Sequence, residues 1–295
     1  MYTLGLDIGS TTSKCVILED GTKLMAKALC VGGLGTSGPE DVKQELMTGS
    51  CLSEADITNT AVTGYGRNKY KGCDLEVSEL TCHALGSRFV FPDVRTVIDI
   101  GGQDAKVICM SESGKMTNFV MNDKCAAGTG RFLDVMANIL RADISELEVL
   151  AAKAEKPATI SSTCTVFAES EVISQLANGE SRENVIAGIC NSVATRVSSL
   201  VRRAGFKEPV CMSGGVARNG AVREAMSKAI ETDIKYDPLA QYFGAIGAAI
   251  YAYRSAGYDN YVKKITSSRE QKFLGKDVNG LTKCVFNFFA QIDSA

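Results

Sequence analysis

One histidine, no tryptophan, five prolines and no C-x-x-C pair leave little room for several common kinds of chemistry in this 295-residue chain. With His83 alone, a His-rich zinc site, a facial triad and a helical His-Glu-x-x-His protease site are excluded. A Ser-His-Asp enzyme would have to run through His83, which sits in a stretch of helical period, Ser78–Phe91, with no nucleophile motif beside it. His83 therefore reads as a packing or hydrogen-bonding side chain. The absence of C-x-x-C removes zinc ribbons, thioredoxin-like pairs and the clustered cysteines of bacterial ferredoxins. Neither charge sign dominates: 32 basic residues stand against 34 acidic ones, too balanced to grip nucleic acid or anionic lipid. The most apolar stretch, Tyr242–Tyr253, is about half the ~20 residues of a membrane span, and Met1–Ser10 carries neither a basic leader nor a cleavage site. Eleven cysteines, an odd number in a chain that is 45% hydrophobic, do not resemble a disulfide framework. The expectation is a cytoplasmic protein with reduced thiols and about two domains, without a nucleic-acid or membrane partner.

What is present is a repeat. Asp7-Ile8-Gly9-Ser10-Thr11-Thr12-Ser13-Lys14 aligns with Asp99-Ile100-Gly101-Gly102-Gln103-Asp104-Ala105-Lys106, ninety-two residues later, each followed by an apolar run and an acidic, Gly-containing turn. Two copies that each begin strand, glycine turn, strand predict two similarly built α/β domains facing one another across a cleft, where ligands bind. Between the copies the pattern predicts a helix over Pro39–Met47, a strand over Thr58–Thr63 and the helix carrying His83. After the second copy it predicts a strand over Lys115–Met121 and a helix over Ala126–Leu140 with Cys125 at its entry. A capping box at Ser145–Glu148 then opens a helix ending before Pro157. Helices over Glu169–Leu176 and Arg182–Arg203, a buried strand over Pro209–Met212 and an Ala- and Gly-rich helix from Pro238 to Tyr253 complete the reading. The segment from Gly257 on reads as a tail or cap.

A strand ending in Asp and followed by a Gly, Ser and Thr turn brings backbone N–H groups and hydroxyls to one point, as a phosphate requires. The Asp beside it suits Mg²⁺, usually through water. A third turn, Ser213-Gly214-Gly215-Val216-Ala217, closes an apolar strand before a helix containing Asn219. Glycine there allows a ligand to approach the backbone closely. No P-loop is present. Gly33-Leu34-Gly35-Thr36-Ser37-Gly38 satisfies the dinucleotide-binding pattern G-x-G-x-x-G, but the chain before it reads as a third antiparallel strand, and Pro39 makes a loop-to-helix transition sufficient.

The three turns, in this order, resemble the phosphate-1, phosphate-2 and adenosine motifs of the ATPase superfamily of actin, sugar kinases and heat-shock chaperones. The Tyr242–Ala252 helix is similar to its second connecting helix. The resemblance implies an α/β fold of two ribonuclease-H-like domains. Residues 1–94 would form the first and 95–256 the second, with the helix 238–256 returning to the first and 257–295 as tail. It implies that Ser10, Thr11, Thr12, Ser13, Lys14, Gly101 and Gly102 surround ATP or ADP phosphates. Asp7 and Asp99 would organise Mg²⁺, and Gln103 and Asp104 would lie near the γ-phosphate as catalytic residues. Ser213, Gly214, Gly215, Val216, Asn219, Gln241 and Thr129 would complete the nucleotide site.

Cys15, Cys109, Cys190 and Cys211 lie in apolar runs and read as core. Cys125 and Cys164 do not: each lies in a polar segment that leads into a helix, where the dipole favours a thiolate or an anionic cluster. Two thiolates cannot complete a cubane that needs four, but a two-fold dimer would bring four to its axis. Asn122–Phe132 and Cys164–Glu171, inside this ATPase frame, closely resemble the activator components of 2-hydroxyacyl-CoA dehydratases, with the ATPase subunits of benzoyl-CoA reductases as near relatives. The resemblance spans roughly Tyr2–Arg254. It implies a homodimer with one 4Fe-4S cluster held by Cys125 and Cys164 of both subunits, the positive end of the following helix aimed at it, and reduced ferredoxin or flavodoxin as electron donor. ATP hydrolysis would drive one low-potential electron to the dehydratase, starting radical dehydration. The alternatives are an activator of another reductase, a small-molecule kinase with structural cysteines, and a nucleotide-dependent regulator without iron.

Overall fold

The computed structural model describes residues 1–122, 125–161 and 164–270, as backbone only from residue 258 on. The first repeat builds a meander of β1 (Tyr2–Ile8), β2 (Thr12–Glu19) and β3 (Lys23–Val31), followed by α1 (Gly38–Ser50) and by β4 (Ile57–Thr63), which returns parallel to β1. A two-residue strand, β5 (Leu75–Glu76), extends the edge, giving the order β3-β2-β1-β4-β5. After α2 (Glu79–Val90) the pattern starts again with the meander β6 (Thr96–Ile100), β7 (Ala105–Met110) and β8 (Met116–Asn122). Among the described residues, the crossover to the next strand holds four α-helices, α3 (Gly130–Ile139), α4 (Leu147–Ala151), α5 (Thr165–Ala177) and α6 (Arg182–Ala204). Then β9 (Val210–Ser213) lies parallel to β6, α7 (Gly220–Ile230) follows, and β10 (Ile234–Lys235) completes the order β10-β9-β6-β7-β8. Read from opposite edges, the two sheets have one topology, as the repeat in the sequence requires.

The last described helix, α8 (Phe243–Glu270), lies against β1, β4 and α2. Its approach is close enough that glycine is needed on both sides of it. A Cβ on Gly5 of β1 would strike the Ala245 carbonyl, one on Gly247 the Cys82 carbonyl, and one on Gly86 the Phe243 carbonyl. β1 is buried along both faces for that reason, covered by α8 on one side and α1 on the other, and its Leu4, Leu6 and Ile8 are fully inside.

Several element boundaries differ from the sequence reading. α3 begins at Gly130, not Ala126, because Gly128 turns with φ +89° and Thr129 is extended as the N-cap. The capping box is Asp143 with Glu146, two residues before the Ser145–Glu148 pair, and the helix it opens is short. α5 starts directly after Cys164 and so includes residues read as loop. Pro238 opens a 3-10 turn over Pro238–Tyr242 rather than the helix itself. α8 passes residue 257 and continues to Glu270, since no proline follows Pro238 to stop it. The remainder of the expected tail, 271–295, lies outside the described residues.

Candidate functional site

Each meander places a carboxylate and a lysine side by side across its first two strands. Asp7 stands opposite Lys14 in the β1–β2 register, and Asp99 opposite Lys106 in the β6–β7 register. The turns between them close alike, with Gly9 N–H donating to the Thr12 carbonyl at 3.0 Å and Gly101 N–H to the Asp104 carbonyl at 2.9 Å. The two turns meet: a Cβ on Gly102 would stand 2.5 Å from Thr11 Oγ1. Ser10, Thr11 and Thr12 are part-exposed around this meeting point, as are Gly101, Gly102 and Asp104, while Gln103 is open to solvent. Ser13 is not among them, because it is fully buried and its hydroxyl donates to the Gly32 carbonyl at 2.8 Å.

The segment that mimics a dinucleotide fingerprint braces the first turn from behind. Gly32 N–H donates to the Thr11 carbonyl at 2.9 Å and Leu34 N–H to the Gly9 carbonyl at 3.2 Å, and a Cβ on Gly33 would strike that same Gly9 carbonyl. The second turn is braced in the same way by α3. Gly130 N–H donates to the Gly101 carbonyl at 2.9 Å and Arg131 N–H to the Gly102 carbonyl at 2.8 Å. These are two of the N–H groups that a helix leaves without an internal partner.

Each aspartate also has a glycine of positive φ against it. Gly214, after β9, has φ +84°, and a Cβ there would lie 2.9 Å from Asp99 Oδ1. Gly64, after β4, has φ +89°, and a Cβ there would lie 2.5 Å from Asp7 Oδ1. Gly215 faces Gln241, whose amide nitrogen would be 3.4 Å from a Cβ at that glycine. Val216 is buried against the start of α3. Asn219 caps α7, accepting from Val222 N–H at 3.0 Å, and Thr129 is buried with its hydroxyl on the Ala126 carbonyl. Both therefore have structural duties at the edge of the site.

Between the two carboxylates stands His83. Its Nδ1 is 2.8 Å from Ser213 Oγ and 3.4 Å from Asp99 Oδ1. Its Nε2 and Asp7 Oδ2 lie 3.2 and 2.8 Å from the point a Cβ on Gly244 would occupy. The helix-period reading of this residue is right about hydrogen bonding, but the sequence carries no signal that its partner is a site serine 130 positions on. Lys106, Glu79 and Arg67 were also not singled out. Lys106 is 4% exposed and reaches Asp104 at 2.5 Å, Glu79 at 2.8 Å and Asp99 at 3.6 Å. The repeat could have found it, since Lys106 aligns with Lys14, which lies 3.4 Å from Asp7.

Burial opposes the charge on Asp99, but His83 and Lys106 beside it hold its carboxyl below the ordinary carboxylate range. Burial pushes the Asp104 carboxyl up, with Lys106 opposing and Asp99 adding to the rise. Lys106 is raised despite its burial because Asp99, Glu79 and Asp104 surround it. Asp99 Oδ1 is buried and has no hydrogen-bond donor among the described residues. An ionised, under-satisfied carboxylate beside two glycine turns and a lysine fits a polyphosphate with a divalent cation.

Cys125 and Cys164 both lie on the connection between β8 and β9, and both are exposed. Cys164 is the N-cap of α5. Cys125 is five positions before the first residue of α3, and the leading N–H groups of α3, at Gly130 and Arg131, donate to the Gly101 and Gly102 carbonyls of the second glycine turn. Val166 and Phe167, two and three positions after Cys164, are 66% and 68% exposed. Among the described residues, no group of three or more His, Cys, Asp and Glu side chains converges as a metal site, and no helix is long and apolar enough to cross a membrane.

Comparison with known proteins gives the same picture. The chain is 56% identical over 257 residues to the (R)-2-hydroxyglutaryl-CoA dehydratase activating ATPase of Acidaminococcus fermentans, covering 87% of this chain and 98% of that one. Its structure superposes with a TM-score of 0.86, at 50% identity, on the activator of the 2-hydroxyisocaproyl-CoA dehydratase from Clostridium difficile with bound ADPNP, across 94% of this chain and all of that one. A ROK family glucokinase from Streptomyces griseus shares the fold alone, with 12% identity and a TM-score of 0.55 over 86% of this chain and 100% of that one. The doubled sheet with a glycine turn in each half is thus the two-domain actin-like ATPase architecture. Residues 4–252 match the model of the BadF/BadG/BcrA/BcrD ATPase family, and the chain belongs to that family.

Proposed function

We propose that this protein is an ATP-hydrolysing activator that, as a homodimer, delivers one low-potential electron to a 2-hydroxyacyl-CoA dehydratase and so starts radical dehydration. The observation that carries the reading is the pair of hydrogen bonds from Gly130 and Arg131 to the Gly101 and Gly102 carbonyls. They join the phosphate turn to the helix that follows Cys125, so a change at the nucleotide is felt directly in the cysteine segment. The 56% identity to a dehydratase activating ATPase supports the choice of partner.

In this reading Asp7 and Asp99 hold Mg²⁺ through water, Lys14 and the Ser10–Thr12 hydroxyls take the phosphates, and Gln103 and Asp104 attend the terminal phosphate. Ser213–Val216 and Gln241 take the nucleoside. Cys125 and Cys164 fit a shared cluster on chemical grounds, because both are exposed and each precedes a helix of the second half, whereas the other exposed cysteine among the described residues, Cys51, ends α1 in the first half. A 4Fe-4S cluster bound by both subunits would supply a one-electron carrier, loaded by reduced ferredoxin or flavodoxin. The exposed Val166 and Phe167 beside Cys164 give the second subunit an apolar surface to cover.

The test is iron and sulfide per dimer, with an EPR spectrum after reduction, on protein purified without oxygen beside Cys125→Ala and Cys164→Ala. Four irons per dimer, lost in both variants while nucleotide still binds, is the expected result. No iron in the anaerobic parent would leave an ordinary ATPase or kinase of this fold.

A further inference from the structure

We infer that Lys106 is a positioning residue that holds Asp104 for chemistry at the terminal phosphate, and that Glu79 and Arg67 tie its placement to the opposite half of the molecule. The two hairpin lysines are equivalent in sequence and register but differ in surroundings. Lys14 has one carboxylate, Asp7 at 3.4 Å, and the Thr12 carbonyl at 3.5 Å. Lys106 is enclosed by three carboxylates on three elements: Asp104 in the turn, Asp99 on β6 and Glu79 at the first residue of α2. An ammonium group has three N–H donors and no acceptor. The close contacts of Lys106, at 2.5 and 2.8 Å, go to Asp104 and Glu79, with Asp99 3.6 Å away, so its ammonium group is committed to carboxylates rather than to a phosphate.

The position it controls is one of four at which the two aligned octapeptides differ, and the one of them that gains a carboxylate. Where the first turn has Thr12, the second has Asp104, a part-buried carboxylate that Lys106 meets at 2.5 Å. A carboxylate held by one buried ammonium group has its oxygens fixed in direction, as a group that orients water must be. The hold extends across the cleft. Arg67 donates to the Gly64 carbonyl at 3.0 Å in the turn beside Asp7 and pairs with Glu79 at 3.4 Å, and Glu79 pairs with Lys106 at 2.8 Å. A continuous polar chain therefore runs from the turn after β4 to the phosphate turn after β6. Asp104 is aimed only while the two halves keep that chain intact.

The inference rests on the ATP-hydrolysis part of the proposed function and not on the cluster or the dehydratase. The test is steady-state Mg-ATP hydrolysis by the full chain, with ADP affinity and thermal melting measured in parallel. Lys106→Met should lower kcat by roughly 100-fold, with KM for ATP and Kd for ADP within about threefold of the parent. Lys106→Arg should restore most of the loss, and Glu79→Gln should lower kcat by about tenfold with KM unchanged. The double variant should be no slower than Lys106→Met, because both changes cut one chain.

An unchanged kcat in Lys106→Met overturns the inference, as does a raised KM at constant kcat, which would make Lys106 a phosphate ligand. Multiplying losses in the double variant overturn the role of Glu79. If Lys106→Met does not fold, Glu79→Gln and Lys106→Arg decide the matter, and full kcat in Glu79→Gln rejects it. A parent without ATP hydrolysis would sink the activator reading and this one together, whereas a hydrolysing parent with unaffected variants would sink this one alone.

Discussion

Gly214 turns with φ +84° against Asp99, so that a Cβ on it would stand 2.9 Å from Asp99 Oδ1 and strike the Ile100 carbonyl. The backbone there can approach only as glycine, and the aspartate cannot retreat because His83 and Lys106 flank it. Gly214→Ala is therefore expected to lose stability by ~1–3 kcal/mol through left-handed strain and overpacking. It should also weaken nucleotide binding, since the displaced carboxylate is the one proposed to organise Mg²⁺. Urea unfolding and ADP titration check both effects. A variant with parental affinity would show that the Asp99 position tolerates movement.

Two further glycines separate packing from flexibility. Gly247 of α8 faces the Cys82 carbonyl of α2 so closely that a Cβ would strike it, while Gly49 in α1 has open space around it and no positive φ. Gly247→Ala should lower the unfolding free energy by ~1–3 kcal/mol. Gly49→Ala should raise it by up to ~1 kcal/mol by limiting the unfolded chain. Thermal melts of the two variants should move in opposite directions, and equal shifts would refute the close helix crossing.

The sequence disclosed the repeat because a carboxylate beside a tight glycine turn leaves a local mark, and Asp7 and Asp99 carry it within eight residues. The same local logic found β1 through β4, α6 and the three glycine turns. It did not find β5 and β10, because two residues have no period. It began α3 four residues early because apolar spacing does not register that Gly128 is left-handed. Within the site, Asp7, Asp99, Ser213 and Gly214 were legible as parts of turns. His83 and Glu79 were not, because each acts on a strand from the other half, and helix α2 reads as ordinary amphipathic sequence around them. Lys106 was in view, aligned with Lys14, but alignment alone does not tell a phosphate ligand from a tether.

The buried thiols make stability depend on alkaline pH. Burial raises Cys82 and Cys190 from 9.0 to about 12, and Cys15 and Cys211 also upward. Between pH 9 and 12 the native state keeps protons that the unfolded chain releases, so unfolding is favoured as pH rises. Stability contributed by each protonated thiol is fully present below pH 9 and falls by about 1.4 kcal/mol per pH unit across that window. Urea unfolding under reducing conditions from pH 8 upward should show the decline, with a slope about one proton shallower in Cys190→Ala. An unchanged slope in that variant would mean Cys190 ionises without unfolding.

The bond between the phosphate turn and α3 makes a prediction about motion. The amides of Gly130 and Arg131 exchange with solvent only when their bonds to the Gly101 and Gly102 carbonyls open. A nucleotide that fixes the turn fixes those acceptors, so exchange in residues 128–134 should slow by about tenfold or more on adding a non-hydrolysable ATP analogue with Mg²⁺. Residues 40–48 of α1, which have no bond to the second turn, should be unaffected and serve as the internal control. Asp99→Asn should reduce the protection if Mg²⁺ is what anchors the nucleotide to that half. Equal exchange in residues 128–134 with and without nucleotide would break the proposed link between hydrolysis and the Cys125 segment, even if ATP binds and iron is present.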